Sequence, residues 1–379
     1  MLTTMLTTTY HAITKNDLQT LLDILNQSYQ CVGPSVSEQT LIYSSISKLS
    51  QLPLGYTDQQ KPGEYHLLHN TDCKDFFSIT TGAQGVKPWL FKAQEKLWTV
   101  SKQDGRIQFN SQLTDDKPLA ILGLRACDLA ALKLQDQHFL QQQFQDPYYA
   151  GHRDNLFIIA VNCHRSTETC FCVSTGDGPE IKEAYDLLLT ELEHDFIIQS
   201  GSSAGQDVLD VLAQQVTLKT VTEQQALEKQ QRLNAAAQQS RALPDRPIAQ
   251  LLSHRLNHQQ WNKIAERCLS CGNCTMVCPS CFCHSEYDEP ELDLQTSHHF
   301  RQWDSCFTTE HSYIAGFHFR KETRQHYRQW LTHKFAFWHE QYGRSGCTGC
   351  GRCISWCPVA IDVTEELAVL CQESSCHVD

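Results

Sequence analysis

The order of apolar and polar positions divides the chain into a mixed first part and a helical last part. Residues 13–27 place Ile13, Leu18, Leu21, Leu22 and Leu25 on one stripe, the spacing of an amphipathic helix. Short strand-like runs follow at 66–70, 76–80 and 96–100 between Gly and Pro breakers, and PGEY (62–65) reads as a turn. A clearer unit begins at residue 118, where PLAILGL (118–124) predicts a buried strand and RACDLAALKLQDQHFL (125–140) the helix after it. LFIIAV (156–161) is a second buried run, residues 180–194 read as helix again, and DFIIQ (195–199) as a short strand. Strand, helix and strand with uninterrupted apolar runs predict a parallel α/β sheet. Residues 223–241, rich in Gln and Ala, form a polar helix that ends before LPDRP (243–247). The expected organisation is an α/β (α+β) domain over 1–245, followed by a mostly helical, ferredoxin-like domain over 246–379.

Candidate chemistry concentrates in that second part. CLSCGNCTMVCP (268–279) sets Cys268, Cys271, Cys274 and Cys278 in a C-x2-C-x2-C-x3-C run closed by proline, and CTGCGRCISWCP (347–358) repeats it with Cys347, Cys350, Cys353 and Cys357. This is the bacterial ferredoxin run for a 4Fe-4S cubane, given twice. Three thiolates two residues apart wrap one cluster, and in two-cluster ferredoxins the fourth cysteine reaches the other cluster. Cys268, Cys271, Cys274 and Cys357 are therefore expected to hold one cluster, and Cys347, Cys350, Cys353 and Cys278 the other. Zinc is the competing reading, but a zinc ion takes two separated C-x2-C pairs, and eight cysteines in two closed runs suit cubanes better.

The long insert at 279–346 holds Cys281, Cys283 and Cys306, which either ligate a cluster or pack beside one. His284, His298, His299 and His318 are expected to be outer partners or solvent-facing, since cluster ligands are usually cysteines. Residues 319–340 read as a basic helix on which Arg320, Lys321, Arg324, Arg328 and Lys334 form one positive face, either solvated or docking an acidic partner. Lys263 and Arg352 flank the runs as exposed charges of weak influence. A short helix at 364–371 closes the chain, with Cys371 and Cys376 in its tail; Cys31 and Cys73 read as ordinary thiols.

A further thiol set lies in the first part. Cys127 opens the helix after one buried strand, Cys163 follows the next, and Cys170 and Cys172 sit in a loop of small residues. In a parallel sheet these converge at the carboxyl edge of the strands, where α/β proteins place ligands, and they form a candidate third iron-sulfur site. The helix N-terminus is expected to lower the Cys127 thiol pKa. Buried structural thiols or a redox-active pair are the alternatives.

Composition narrows the class. The chain has 379 residues, 41% hydrophobic and 20% charged, as in a globular protein. Nineteen cysteines, an odd number with eight at cluster spacing, exclude a disulfide framework and favour a reducing, cytoplasmic compartment. No basic leader precedes an apolar run, no stretch is long and apolar enough to span a membrane, and a net charge of −12 argues against nucleic-acid binding. GAQG (82–85) and GDG (176–178) are incomplete dinucleotide fingerprints and there is no P-loop, so flavin and nicotinamide sites are expected on another chain.

The chain also resembles a known family. GLRACDLAAL (123–132), DPYYAGHRDNLFIIAVNC (146–163), TCFCVSTGDGP (169–179), ERCLSCGNCTMVCPSCFC (266–283), RQWDSC (301–306) and GCTGCGRCISWCPVAID (346–362) are similar to segments of cytoplasmic sulfhydrogenase beta subunits (the group 3b nickel-iron hydrogenases) and of the related iron-sulfur subunits of anaerobic sulfite reductases. The resemblance implies a non-catalytic subunit that relays electrons between a flavin subunit carrying FAD and handling NAD(P)H, and a hydrogenase or sulfite- or sulfur-reducing subunit. It leaves the terminal reaction open. The alternatives from other classes are a free-standing iron-sulfur oxidoreductase with its own substrate site at the first sheet, and a zinc-bearing scaffold.

Overall fold

The computed structural model describes residues 10–111 and 117–372. An eight-stranded mixed sheet organises the first part. Across the sheet the strands run Lys219–Thr220, Tyr10–Thr14, Asp195–Ser200, Leu187–Glu191, Leu156–Val161, Leu119–Leu124, Gln30–Ser37 and Thr40–Ser45. The four from Leu187–Glu191 to Gln30–Ser37 are mutually parallel, and both flanks are antiparallel. The central strands are buried on both faces, which is why their sequences are continuous apolar runs. One face packs the helix Asp17–Ser28 through Leu18, Leu21, Leu22 and Leu25; the other packs the helix Ala126–Phe139 through Leu129 and Leu132.

Several elements depart from the pattern-based reading. Ile13 is a buried strand residue, and the first helix begins only at Asp17. Residues 76–80 are buried irregular chain, where Phe76 and Phe77 donate their backbone N–H groups to the buried Glu191 carboxylate (2.7 and 2.8 Å). The stretch 180–194 is not helical: residues Leu187–Glu191 form a sheet strand, all five buried. A short apolar run cannot be assigned by period alone, and here pairing with two neighbouring strands decides it.

The insert also crosses the expected boundary. His284–Pro290 and Thr296–Trp303 form a hairpin that adds to Gln94–Gln103 and Arg106–Ser111 as a four-stranded antiparallel sheet. Cross-strand rings hold it: His299 stacks on Trp98 at 3.9 Å, and Tyr287 on Phe300 at 5.4 Å. Glu95 and Arg301, both buried, pair at 2.7 Å across it. The basic segment is helical over Thr323–Thr332, continues as a π-turn over His333–Phe337, and ends in Trp338–Tyr342. Cys371 is a buried helix residue packed in the core rather than part of a loose tail, while Cys376 lies outside the described residues.

Candidate iron-sulfur centres

Each cysteine run folds as a tight loop ending in one helical turn, Asn273–Met276 in the first and Arg352–Ser355 in the second. The two loops use the left-handed region at corresponding positions, Ser270 (φ 52°) and Gly272 (φ 73°) in one, Gly349 (φ 65°) and Gly351 (φ 76°) in the other. These turns aim backbone N–H groups inward. Ser270 N lies 3.4 Å from Cys268 Sγ, Gly349 N 3.4 Å from Cys347 Sγ, and Ile361 N 3.3 Å from Cys357 Sγ. In the second run the glycines also permit close packing, since a Cβ at Gly351 would meet the Thr169 carbonyl oxygen at 2.3 Å.

The structure brings the eight run cysteines together around two small, mainly apolar cavities. One is lined by Cys268, Cys271, Cys274 and Cys357, the other by Cys278, Cys347 and Cys350, and Cys353 touches both. The first cavity thus receives three thiols from its own run and Cys353 and Cys357 from the other, and the second receives three from its own run and Cys278 from the other. Phe307, Tyr327, Trp330 and Val363 shield the first, and Phe171, Trp330, Phe335 and Val363 the second. Burial drives the pKa of Cys274 and Cys353 well above the ordinary thiol value and that of Cys347 to about 12. Thiols so buried, facing one another and backbone N–H groups, suit a group that binds them as thiolates, as iron-sulfur clusters do. Among the described residues, no three His, Cys, Asp or Glu side chains are placed to grip a single metal ion.

Two buried cations stand beside the second cavity, and neither matches its sequence-based placement. Lys334 is not on an exposed positive face: it is 4% exposed, and its Nζ donates to Ser280 Oγ (2.9 Å) and the Gly346 carbonyl (3.2 Å). The negative charge of Cys278, Cys281 and Cys347 outweighs its desolvation and holds its pKa up. Of the other cations expected on that face, only Lys321 is exposed, and Arg328 donates to the Leu256 carbonyl (2.7 Å). Arg352, expected to be exposed, is buried against Asp128 at 2.8 Å beside Cys350 and Cys127; Lys263 is exposed as expected. A signal for Lys334 was present in the spacing, because it continues the buried stripe of Tyr327, Trp330 and Leu331.

Cys127, Cys163, Cys170 and Cys172 also gather. The Cys172 thiol is electrostatically close to Cys163, Cys170 and Cys350, and Cys127 to Cys172 and Cys350. Their loop packs directly on the second run through Phe171 N to the Gly349 carbonyl (2.9 Å). The expected lowering of the Cys127 pKa does not occur: burial and Asp128 raise it well above the usual thiol value, which outweighs the helix N-terminus. Cys170 bonds Thr167 Oγ1 (3.3 Å), and Cys172 accepts from Gln239 Nε2 (3.2 Å).

Residues 267–361 match a family model described as a 4Fe-4S dicluster domain, and residues 221–282 match a second model of the same description. The sulfhydrogenase 2 subunit beta of Pyrococcus furiosus is 29% identical over 332 residues, which cover 87% of this chain and 89% of that protein. The chain is thus similar to 4Fe-4S dicluster domains over 267–361 and, along most of its length, to a sulfhydrogenase beta subunit. Among the described residues no helix is long and apolar enough to cross a membrane.

The insert supplies one more group of thiols. Cys281 is electrostatically close to Cys278, and Cys283 to Cys306 and His311. None of the four insert histidines singled out by sequence lines either cavity: His298 and His299 pair with Glu291, Asp288 and Glu286 on the hairpin. His311 escaped the sequence reading, since a lone histidine in a polar loop carries no periodic signal.

Proposed function

We propose that the chain is the electron-relay subunit of a multi-subunit oxidoreductase, between a flavin subunit that handles NAD(P)H and a hydrogenase or sulfite- or sulfur-reducing subunit. Cys268, Cys271, Cys274 and Cys357 hold one 4Fe-4S cluster, and Cys347, Cys350, Cys353 and Cys278 the other. Cys127, Cys163, Cys170 and Cys172 hold a third, against the second run. When bound, such clusters supply one-electron transfer. The chain's own residues hold them, exclude water with aromatic side chains, and set the local charge through Lys334 and Arg352. The observation that carries this reading is the pair of thiol-lined cavities that share Cys353 and each draw cysteines from both runs. The chain would be cytoplasmic and contribute no catalytic residue to the terminal reaction.

The test is to purify the chain anaerobically from its source under low salt. A flavin-containing chain should copurify, and NAD(P)H should bleach the brown absorbance of the complex but leave that of the isolated chain unchanged. Bleaching of the isolated chain by NAD(P)H would contradict the relay and favour a free-standing enzyme.

A further inference from the structure

The two cavities differ in what separates them from solvent. Every residue that lines the second is buried or half-buried, whereas the first opens at Leu269, Cys271 and Pro358, all exposed. Beside that opening the insert carries a small hairpin, Tyr313–Ile314 paired with Phe317–His318 and turned through Ala315 (φ 51°) and Gly316 (φ 84°). Ile314 lies opposite Phe317, which puts both on one face, and Phe319 joins them two residues on, its ring 5.3 Å from that of Phe317. The hairpin is tied to the start of the Thr323–Thr332 helix: Phe319 N donates to the Ser312 carbonyl (3.1 Å), and Ser312 Oγ donates to the Arg320 carbonyl (3.2 Å). Ser270 Oγ bonds Thr323 Oγ1 (3.0 Å), which joins that helix start to the first run next to Leu269. Leu269, Tyr313, Ile314, Phe317 and Phe319 are each more than half exposed. Large apolar side chains grouped in this way on a surface mark a place that another molecule covers.

The charge around the patch says what covers it. Arg320, Lys321 and Arg324 stand within five residues at the helix start. Lys321 Nζ lies 5.1 Å from the ring centroid of Phe317, and the Nε atoms of Arg320 and Arg324 have no hydrogen-bond partner. Two carboxylates are near in sequence: Glu322 is turned to cap the helix, accepting from Gln325 N, and Glu310 is exposed. On a chain of net charge −12 this cationic rim is an exception, and it selects a partner that presents carboxylates.

We propose that the hairpin and its cationic rim are the docking surface for a one-electron carrier protein whose own redox centre lies beneath an acidic face, and that electrons cross between the two chains on the Leu269–Cys271 side of the first site. This rests on the relay reading above. Electron transfer falls steeply with distance, and of the two sites only the first has a wall open to solvent. A carrier seated on Ile314 and Phe317 lies against Leu269, with the second site behind the first across Cys353. In each encounter the carrier loses one electron and the first site gains one, or the reverse; no bond forms or breaks.

Plant-type ferredoxin, a small acidic 2Fe-2S carrier, is the probe, with the full chain reconstituted anaerobically. Stopped-flow absorbance reads reduction of the chain by reduced ferredoxin, and calorimetry reads binding of the oxidised form. The wild type should bind, and both affinity and rate constant should fall as salt rises. Lys321→Glu should lower the rate constant about tenfold at low salt and flatten its salt dependence. Ile314→Ser/Phe317→Ser should weaken binding about tenfold at every salt concentration. Lys219→Glu, an exposed charge reversal on the edge strand Lys219–Thr220 of the first sheet, should change neither. Circular dichroism and iron content check each variant. A wild type that does not bind ferredoxin, variants at 314, 317 and 321 that match it, or equal losses in Lys219→Glu would overturn the docking surface. So would a wild type that sediments as a dimer and an Ile314→Ser/Phe317→Ser variant that sediments as a monomer, which would give the patch to a second copy. Ferredoxin binding with the same dependence on Lys321 in a chain that takes up no iron would leave the surface standing and sink the relay reading, so the two fail separately.

Discussion

Lys334 shows how much a single side chain decides. A buried ammonium is costly unless anions face it, and this one faces Cys278, Cys281 and Cys347 while donating to Ser280 and Gly346. Its positive charge favours the more reduced state of any group those thiols hold. Lys334→Met is close in volume and removes the charge. The midpoint potential of the site at Cys347 should fall by roughly 50–100 mV, the scale of one charge at an effective dielectric near 20, while the site at Cys268 changes much less. Potentiometric titration followed by EPR reads both; equal shifts in both sites, or none, would remove Lys334 as a tuning residue. At this scale the cysteines were legible and their surroundings were not. Thiol spacing is fixed by the cluster and shows in sequence, whereas the Arg352–Asp128 contact joins residues far apart in the chain and leaves no local pattern.

At the scale of elements, the loop carrying Cys170 and Cys172 is the part that joins the sheet to the second run. It follows the Leu156–Val161 strand, forms one helical turn at Cys172–Thr175, and bonds the run through Phe171 and Gly349. Thr169 Oγ1 and Ser355 Oγ add a buried bond of 2.8 Å between the same two segments. If the four sheet-edge thiols hold a cluster, anaerobic reconstitution should give about twelve irons per chain, falling to about eight in Cys170→Ala/Cys172→Ala. Saturation of the wild type near eight, unchanged in the variant, would reduce this set to structural thiols. The buried strands Leu119–Leu124 and Leu156–Val161 and the helix Ala126–Phe139 were readable from their apolar periods. The strand Leu187–Glu191 was not, because its five apolar-rich residues also satisfy a helical spacing. Nor was the hairpin His284–Trp303: its strands are polar on most positions, and they are stabilised by ring stacking and ion pairs across strands rather than by an apolar face.

Across the whole molecule, the long insert does not hold the two cysteine runs apart. It leaves the first run after Cys278 and Pro279, adds a hairpin to the first part of the chain, and returns through the Thr323–Thr332 helix to reach the second run. Trp330 on that returning helix lines both cavities, so the insert packs the two loops against each other instead of separating them. The crossed arrangement, three thiols from one run and one from the other, is the central claim, and exchanging the fourth cysteines tests it most directly. EPR at stepped potentials on anaerobically reconstituted Cys278→Ala and Cys357→Ala resolves the two sites. The crossed arrangement predicts that Cys278→Ala damages the signal of the site built on Cys347, Cys350 and Cys353, and that Cys357→Ala damages the one built on Cys268, Cys271 and Cys274. Loss in each variant of the signal belonging to its own run would contradict it.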